Sequence, residues 1–141
     1  MSDSEKAHKI VHQLMFDHDA YSQWMNIVIL EVDSGYCKLK AQINKEMLNG
    51  FGFCHGGISY SLGDSALAFA SNSHGIKAVS IETSISHFQK IYEGDTIYAA
   101  ARELKLTSKL GWYEIALTNQ KEDLVAIFRG TVSRTGQLWE W

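Results

Sequence analysis

Residues 49–72 read NGFGFCHGGISYSLGDSALAFASN, and the fold turns on how this stretch is taken. It opens as a glycine-rich loop and becomes an apolar run free of proline. Between Ile58 and Asn72 the one formal charge is Asp64. Ile58, Leu62, Ala66 and Ala70, with Tyr60, Leu67 and Phe69 between them, spread apolar surface over much of a helical wheel. A helix apolar nearly all round is one that becomes buried. A lone carboxylate there needs a reason, because burying a charge without a partner is costly. Just before the run stand Gly56 and Gly57, where a helix start offers unpaired backbone N–H groups.

Upstream, residues 24–32 (WMNIVILEV) are rich in β-branched side chains and Asp33-Ser34-Gly35 is a turn. Residues 36–43 then alternate, with Cys37, Leu39, Ala41 and Ile43 set against Lys38, Lys40 and Gln42. That pattern is a half-buried strand, so the two segments form a hairpin. Residues 45–54 are loop, and the helix runs to about residue 73, closed by His74-Gly75. Beyond it the period becomes two. Residues 78–88 place Val79, Ile81, Thr83 and Ile85 on one face, and strands follow over 96–106, 112–118 and 124–133. Connections this short join antiparallel neighbours, so a four-strand meander is expected after the helix. Near the N-terminus Ile10, Val11 and Leu14 share one side of a short amphipathic helix over residues 6–16. The expectation is one α+β domain over residues 1–141, with a helical N-terminal segment at 1–20. An antiparallel sheet wraps one long central helix in the order β-β-α-β-β-β-β, the hotdog pattern.

The totals agree with one domain. The chain has 141 residues, 45% hydrophobic and 21% charged, enough for a real core. A formal net charge of −3 argues against nucleic acid as the main partner. Residues 1–9 are polar and no apolar signal segment follows. The apolar run after Gly57 is too short for a bilayer and carries Asp64, so no membrane partner is expected. Cys37 and Cys54 lack metal or redox spacing and read as reduced thiols of a cytoplasmic protein. His8 and His12 stand four apart, but no ligand cluster accompanies them and no metal is expected.

The residues carry a resemblance. NGFGFCHGG followed by Asp64 eight residues after Gly56, FQKIYEGDTI at residues 88–97 and VAIFRGTVSRTG at residues 125–136 resemble the PaaI-like acyl-CoA thioesterases of the hotdog superfamily, over residues 24–136. The subgroup most like it is the one linked to phenylacetate degradation. The resemblance implies hydrolysis of an acyl-CoA to a free acid and coenzyme A, without metal or other cofactor. It implies a homodimer, commonly paired into a homotetramer, with sites at the dimer interface. Position by position, Asp64 is the implied catalytic acid and Gly56 the oxyanion-hole N–H. Asn49 and His55 shape the pocket. Ser80 stands where some relatives carry a water-placing serine, and Lys109 where relatives often carry a basic turn residue. Gly57 and Phe53 belong to the implied substrate pocket, with Phe51, Tyr60 and Phe88 as further wall candidates.

These residue types suit the reaction. A coenzyme A thiolate is a modest base, with cysteine's ~8.5 as a guide, so it needs little acid help to leave. The transition state needs a place for negative charge on the carbonyl oxygen, which helix-start N–H groups supply. Glycine at 56 and 57 admits the thioester without a Cβ in its way. Asp64 then serves as general base or as nucleophile. Lys90, Lys105, Lys109, Arg129 and Arg134 are candidates for the coenzyme phosphates. Three other readings are weaker. A hotdog dehydratase or hydratase needs a histidine and an acid poised across the substrate, and His55 and Asp64 have the wrong spacing. A non-catalytic acyl-CoA binder or sensor usually carries an added DNA- or partner-binding segment. A dinucleotide loop fails because His55 replaces the third glycine of the pattern.

Overall fold

Residues 1–141 are described by a computed structural model. Helix α1 spans Asp3–Lys9, started by a Ser2/Glu5 capping box. The chain goes on through a wider helical turn, Ile10–Met15, and a tighter one, Phe16–His18. Helix α2 follows at Ala20–Trp24, capped by Asp19, whose carboxylate accepts from the Ser22 N–H. Strands β1 (Val28–Asp33) and β2 (Tyr36–Gln42) pair as the expected hairpin. Helix α3 is Gly56–Asn72, with His55 as N-cap and Gly75 at φ +100° beyond its end. Strands β3 (Ile76–His87), β4 (Thr96–Leu106), β5 (Leu110–Thr118) and β6 (Leu124–Leu138) complete the chain. The helical N-terminal segment therefore runs to Trp24 rather than residue 20, and the first strand starts at Val28 rather than residue 24.

All six strands form one antiparallel sheet in the order β1-β2-β4-β5-β6-β3. The expected meander is thus broken at its first step: β3 pairs with β6, not with β4. Residues 88–95 carry the chain past β6 and β5. Three strand spacings are about 14 Å, well within the ~26 Å that eight extended residues reach. On the way Ile91 is buried and its carbonyl accepts the Cys54 N–H at 2.8 Å, which ties this crossover to the loop that starts α3.

The expected apolar face of β3 is split by a bulge. Val79 pairs with Ser133 and Ser80 with Val132, then the register shifts, and Thr83 pairs with Gly130 and Ile85 with Phe128. Cross-strand partners share a face, and Val132, Gly130 and Phe128 are buried. Ser80, Thr83 and Ile85 therefore look inward, Val79 looks outward and Ile81 is the extra residue. Val79 and Ile81 are 57% and 60% exposed on this edge strand, the feature that edge strands usually avoid.

Helix α3 lies in the concave face of the sheet, with Leu62, Ala66 and Phe69 fully buried alongside Leu39, Ala99 and Ile115 of the sheet. It is not buried all round. Gly57 and Asp64 are exposed, and Ser61, Ser65 and Ala68 half-buried. Helix α2 lies along this side: Tyr21 Oη and Ser61 Oγ are 3.2 Å apart, and Ser22 Oγ and Ser65 Oγ 2.9 Å. The close approach on the buried side depends on Gly63, where an added Cβ would lie 2.6 Å from Phe128 Cγ. Gly63→Val should therefore destabilise the fold by about 1–3 kcal/mol through overpacking, read as a lower denaturant midpoint at unchanged slope. The C-terminal tail docks through Trp139, whose indole N–H donates to Asn72 Oδ1 at 3.0 Å.

Candidate active site

At the start of α3 most backbone donors are already used. His55 Nδ1 accepts the Gly57 N–H at 2.8 Å, and the His55 carbonyl accepts the Ile58 N–H at 2.9 Å. The Gly56 N–H has no acceptor within the chain. The expected turn of free donors is thus concentrated in one amide at the positive end of the helix. Gly56 borders an open cleft of about 390 Å³, whose walls include Asn49, Phe53, His87 and Lys90.

Asn49 builds the loop that leads into this cleft. Its Oδ1 accepts the N–H groups of Phe51 at 2.9 Å and Phe53 at 3.3 Å. With the carbonyl side so occupied, the amide orientation is set and Nδ2 is left as a donor without a protein partner. Phe53 stacks on Phe51 and carries Lys90 Nζ over its ring, 5.1 Å from the centroid. His87, which the sequence reading left out, stands beside Gly56. A Cβ added to Gly56 would lie 3.5 Å from His87 Nε2, and His87 Nδ1 is 3.5 Å from Ser59 Oγ. The signal was available: His87 follows Ile85 at the two-residue spacing of the inward face. Burial pushes the Cys54 thiol up to about 11, with Asp95 adding to the shift, so it stays protonated at neutral pH and is no nucleophile.

A second cleft of about 470 Å³ opens on the other side of the helix start, lined by Tyr21, Met47, Leu48, Ile58 and Tyr60 together with His55 and Gly57. The Tyr60 hydroxyl meets Thr83 Oγ1 of β3, which closes one end of the helix–sheet seam.

The remaining sequence-derived candidates stand elsewhere. Asp64 is eight residues along α3 from Gly56, an axial separation of about 12 Å. Burial against the helix surface raises its carboxyl above the ordinary aspartate value although one side stays open to solvent, and Asp19 adds to the shift. Ser80 lies seven residues before His87 on β3, a distance of about 23 Å along the strand. Lys109 sits in the β4–β5 turn, where its carbonyl accepts the Arg134 N–H, at the opposite end of the sheet from the Ala126–His87 pair. One chain therefore gathers Asn49, Phe53, His55, Gly56 and Gly57, and leaves Asp64, Ser80 and Lys109 apart.

A family model described as the thioesterase superfamily matches residues 51–126, more than half of the chain and the whole of the cleft-bearing segment from Phe51 onward. The chain belongs to the thioesterase superfamily.

The thioesterase is 36% identical to the Escherichia coli K12 protein named acyl-coenzyme A thioesterase PaaI, over 94% of each chain. The solved structure of the E. coli PaaI protein superposes with a TM-score of 0.94 at 36% identity, covering 97% of this chain and 99% of that one. A Streptococcus mutans protein solved bound to acetyl CoA superposes with a TM-score of 0.78 at 26% identity, over 81% of this chain and 92% of that one. The fold is the hotdog fold, and the protein is a PaaI-like thioester hydrolase. No helix of this thioesterase is long and apolar enough to cross a membrane.

Proposed function

We propose that this thioesterase hydrolyses acyl-CoA esters, of aryl-acetyl or medium-chain type, to the free acid and coenzyme A, in a site shared by two copies of the chain. The observation that carries the reading is the Gly56 N–H, a helix-start donor with no acceptor of its own at the edge of a cleft. It suits the oxygen of a thioester that becomes an oxyanion. The PaaI relative and the acetyl-CoA-bound S. mutans structure point to acyl-CoA as the ester. The apolar cleft on the Gly57 side, walled by Tyr21, Ile58 and Tyr60, offers room for the acyl group.

Asp64 serves the reaction from the second copy, since about 12 Å of helix separates it from Gly56 of its own chain. The exposed Val79 and Ile81 on edge strand β3 provide the surface on which a second β3 pairs. In the dimer the Asp64 carboxylate takes a proton from water as its oxygen bonds to the thioester carbon. The carbonyl electrons move onto an oxygen held by Gly56 N–H. The oxyanion pair then re-forms the carbonyl, the C–S bond breaks with its electrons on sulfur, and Asp64 returns its proton to the coenzyme A thiolate. A carboxyl whose basicity is raised by its surroundings suits this role. The chemistry runs on protein groups, water and the ester, with no further cofactor.

A panel of acetyl-, medium-chain, benzoyl- and phenylacetyl-CoA, read by release of free thiol, tests the proposal. Turnover of the aryl-acetyl or medium-chain esters is expected. Tight binding of every ester with no thiol released would contradict it. Single turnover in ¹⁸O-water checks the base role: label in the product acid and none in Asp64 is expected.

A further inference from the structure

The geometry points to His87 as an additional catalytic residue, a hydrogen-bond acceptor that holds the attacking water over Gly56. This rests on the acyl-CoA hydrolysis proposed above. Ser59 Oγ donates to the Gly56 carbonyl at 3.0 Å. Its proton is then engaged, so the Ser59 oxygen faces His87 Nδ1 as an acceptor. The ring that satisfies this contact carries its proton on Nδ1 and presents Nε2 as a bare lone pair. That nitrogen lies 3.5 Å from where a side chain on Gly56 would begin, so it stands over the same residue whose N–H faces the cleft. Donor and acceptor thus flank one small volume: the amide suits the thioester oxygen and the imidazole suits a water beside it.

The register supports the placement. His87 pairs with buried Ala126 at the last position of β3, before the chain leaves the sheet in the 88–95 crossover. That crossover is tied to the helix start by the Cys54-to-Ile91 hydrogen bond, so the ring and the Gly56 amide are held by connected backbone. Of the two protons of the water, one passes to the Asp64 carboxylate of the second copy and the other points at His87 Nε2 during attack. It stays on the product acid, so His87 ends the step as it began. Water needs two such partners to be fixed against the thioester carbon, and one carboxylate alone leaves it free to rotate.

His87→Phe keeps a flat ring and removes the acceptor. His87→Gln keeps an acceptor of similar reach. Steady-state hydrolysis of the best acyl-CoA of the panel, with thermal melts of each variant, separates an acceptor from a packing residue. His87→Phe should lose about tenfold in kcat with KM changed less than about threefold, and His87→Gln should recover most of that loss. Unchanged kcat in His87→Phe overturns the inference. So does an equal loss in both variants, or a loss that tracks a lowered melting temperature, since packing on Ser59 then explains it. Asp64→Asn in the same assay is the reference. If that variant keeps its activity, Asp64 is not the base and the water-holding role of His87 beside it falls too, whereas no thiol release by the wild-type chain from any ester of the panel would remove the hydrolytic reading itself. If it is inactive while His87→Phe is not, only the inference about His87 fails.

Discussion

Asp64→Asn is expected to lower kcat by about 10²–10⁴-fold, the range for loss of a positioned proton-transfer group. The variant should fold, because Asp64 lies on the open side of α3 and none of its side-chain atoms is a hydrogen-bond partner in the core. A stability signature should accompany the loss of rate. The folded-state carboxyl of Asp64 is raised, by burial first and by Asp19 second. A raised group favours the folded state while protonated, and that contribution disappears as pH rises through the ordinary aspartate range to the folded value. The wild-type chain therefore carries a small penalty at neutral pH that asparagine lacks. Asp64→Asn should melt at or above the wild-type temperature near pH 7, and the difference should vanish in acid. The acid limb of kcat/KM for the wild-type enzyme should likewise lie above the ordinary aspartate value. Wild-type turnover in the variant would remove Asp64 from the mechanism.

Gly56→Pro should be almost as damaging, for a different reason. Gly56 is the first residue of α3, the position where proline is well tolerated because its missing N–H has no helical partner anyway. The preceding residue must be extended, and His55 is, at φ −62° and ψ 135°. The substitution thus deletes one donor with little demand on the fold. Loss of one oxyanion-hole donor lowers kcat by about 10²–10³-fold, or ~2.7–4 kcal/mol in the barrier. We expect that loss with a melting temperature close to wild type. A variant that turns over normally would show that the Gly56 amide does not meet the reacting oxygen.

What the sequence showed and what it hid divide along physical lines. The helix start was legible because its determinants are local: Asn49 at the loop, His55 at the cap, two glycines, then an apolar run. The strands were legible by alternation, and the hairpin by its Asp33-Ser34-Gly35 turn. The place of β3 was not, because pairing with β6 instead of β4 is decided by how the sheet curls round α3, not by any residue of β3 itself. The bulge at Ser80–Glu82 was hidden for a related reason: an extra residue leaves the composition of a β-branched strand unchanged while reversing its faces. Asp64 was expected within a fully buried helix. Ser61, Ser65 and Ala68, compatible with either environment, mark the side that stays partly open. The N-terminal helices were half legible. Asp19 and Ser22 form a cap whose side chains reach Ser65 on α3, a contact between residues far apart in the chain. His87 belonged to the legible part, since its inward register followed from Ile85.

The proposed site joins Gly56 of one copy to Asp64 of another, and complementation tests this most directly. Asp64→Asn and Gly56→Pro chains with different tags would be co-expressed, and the mixed dimers isolated by purification on both tags. Each parent should be inactive. In a two-fold dimer one mixed site collects both defects and the other has neither, so the heterodimer should regain about half of the wild-type rate. A mixed dimer as inactive as its parents would place both residues in the same chain's site and contradict the account.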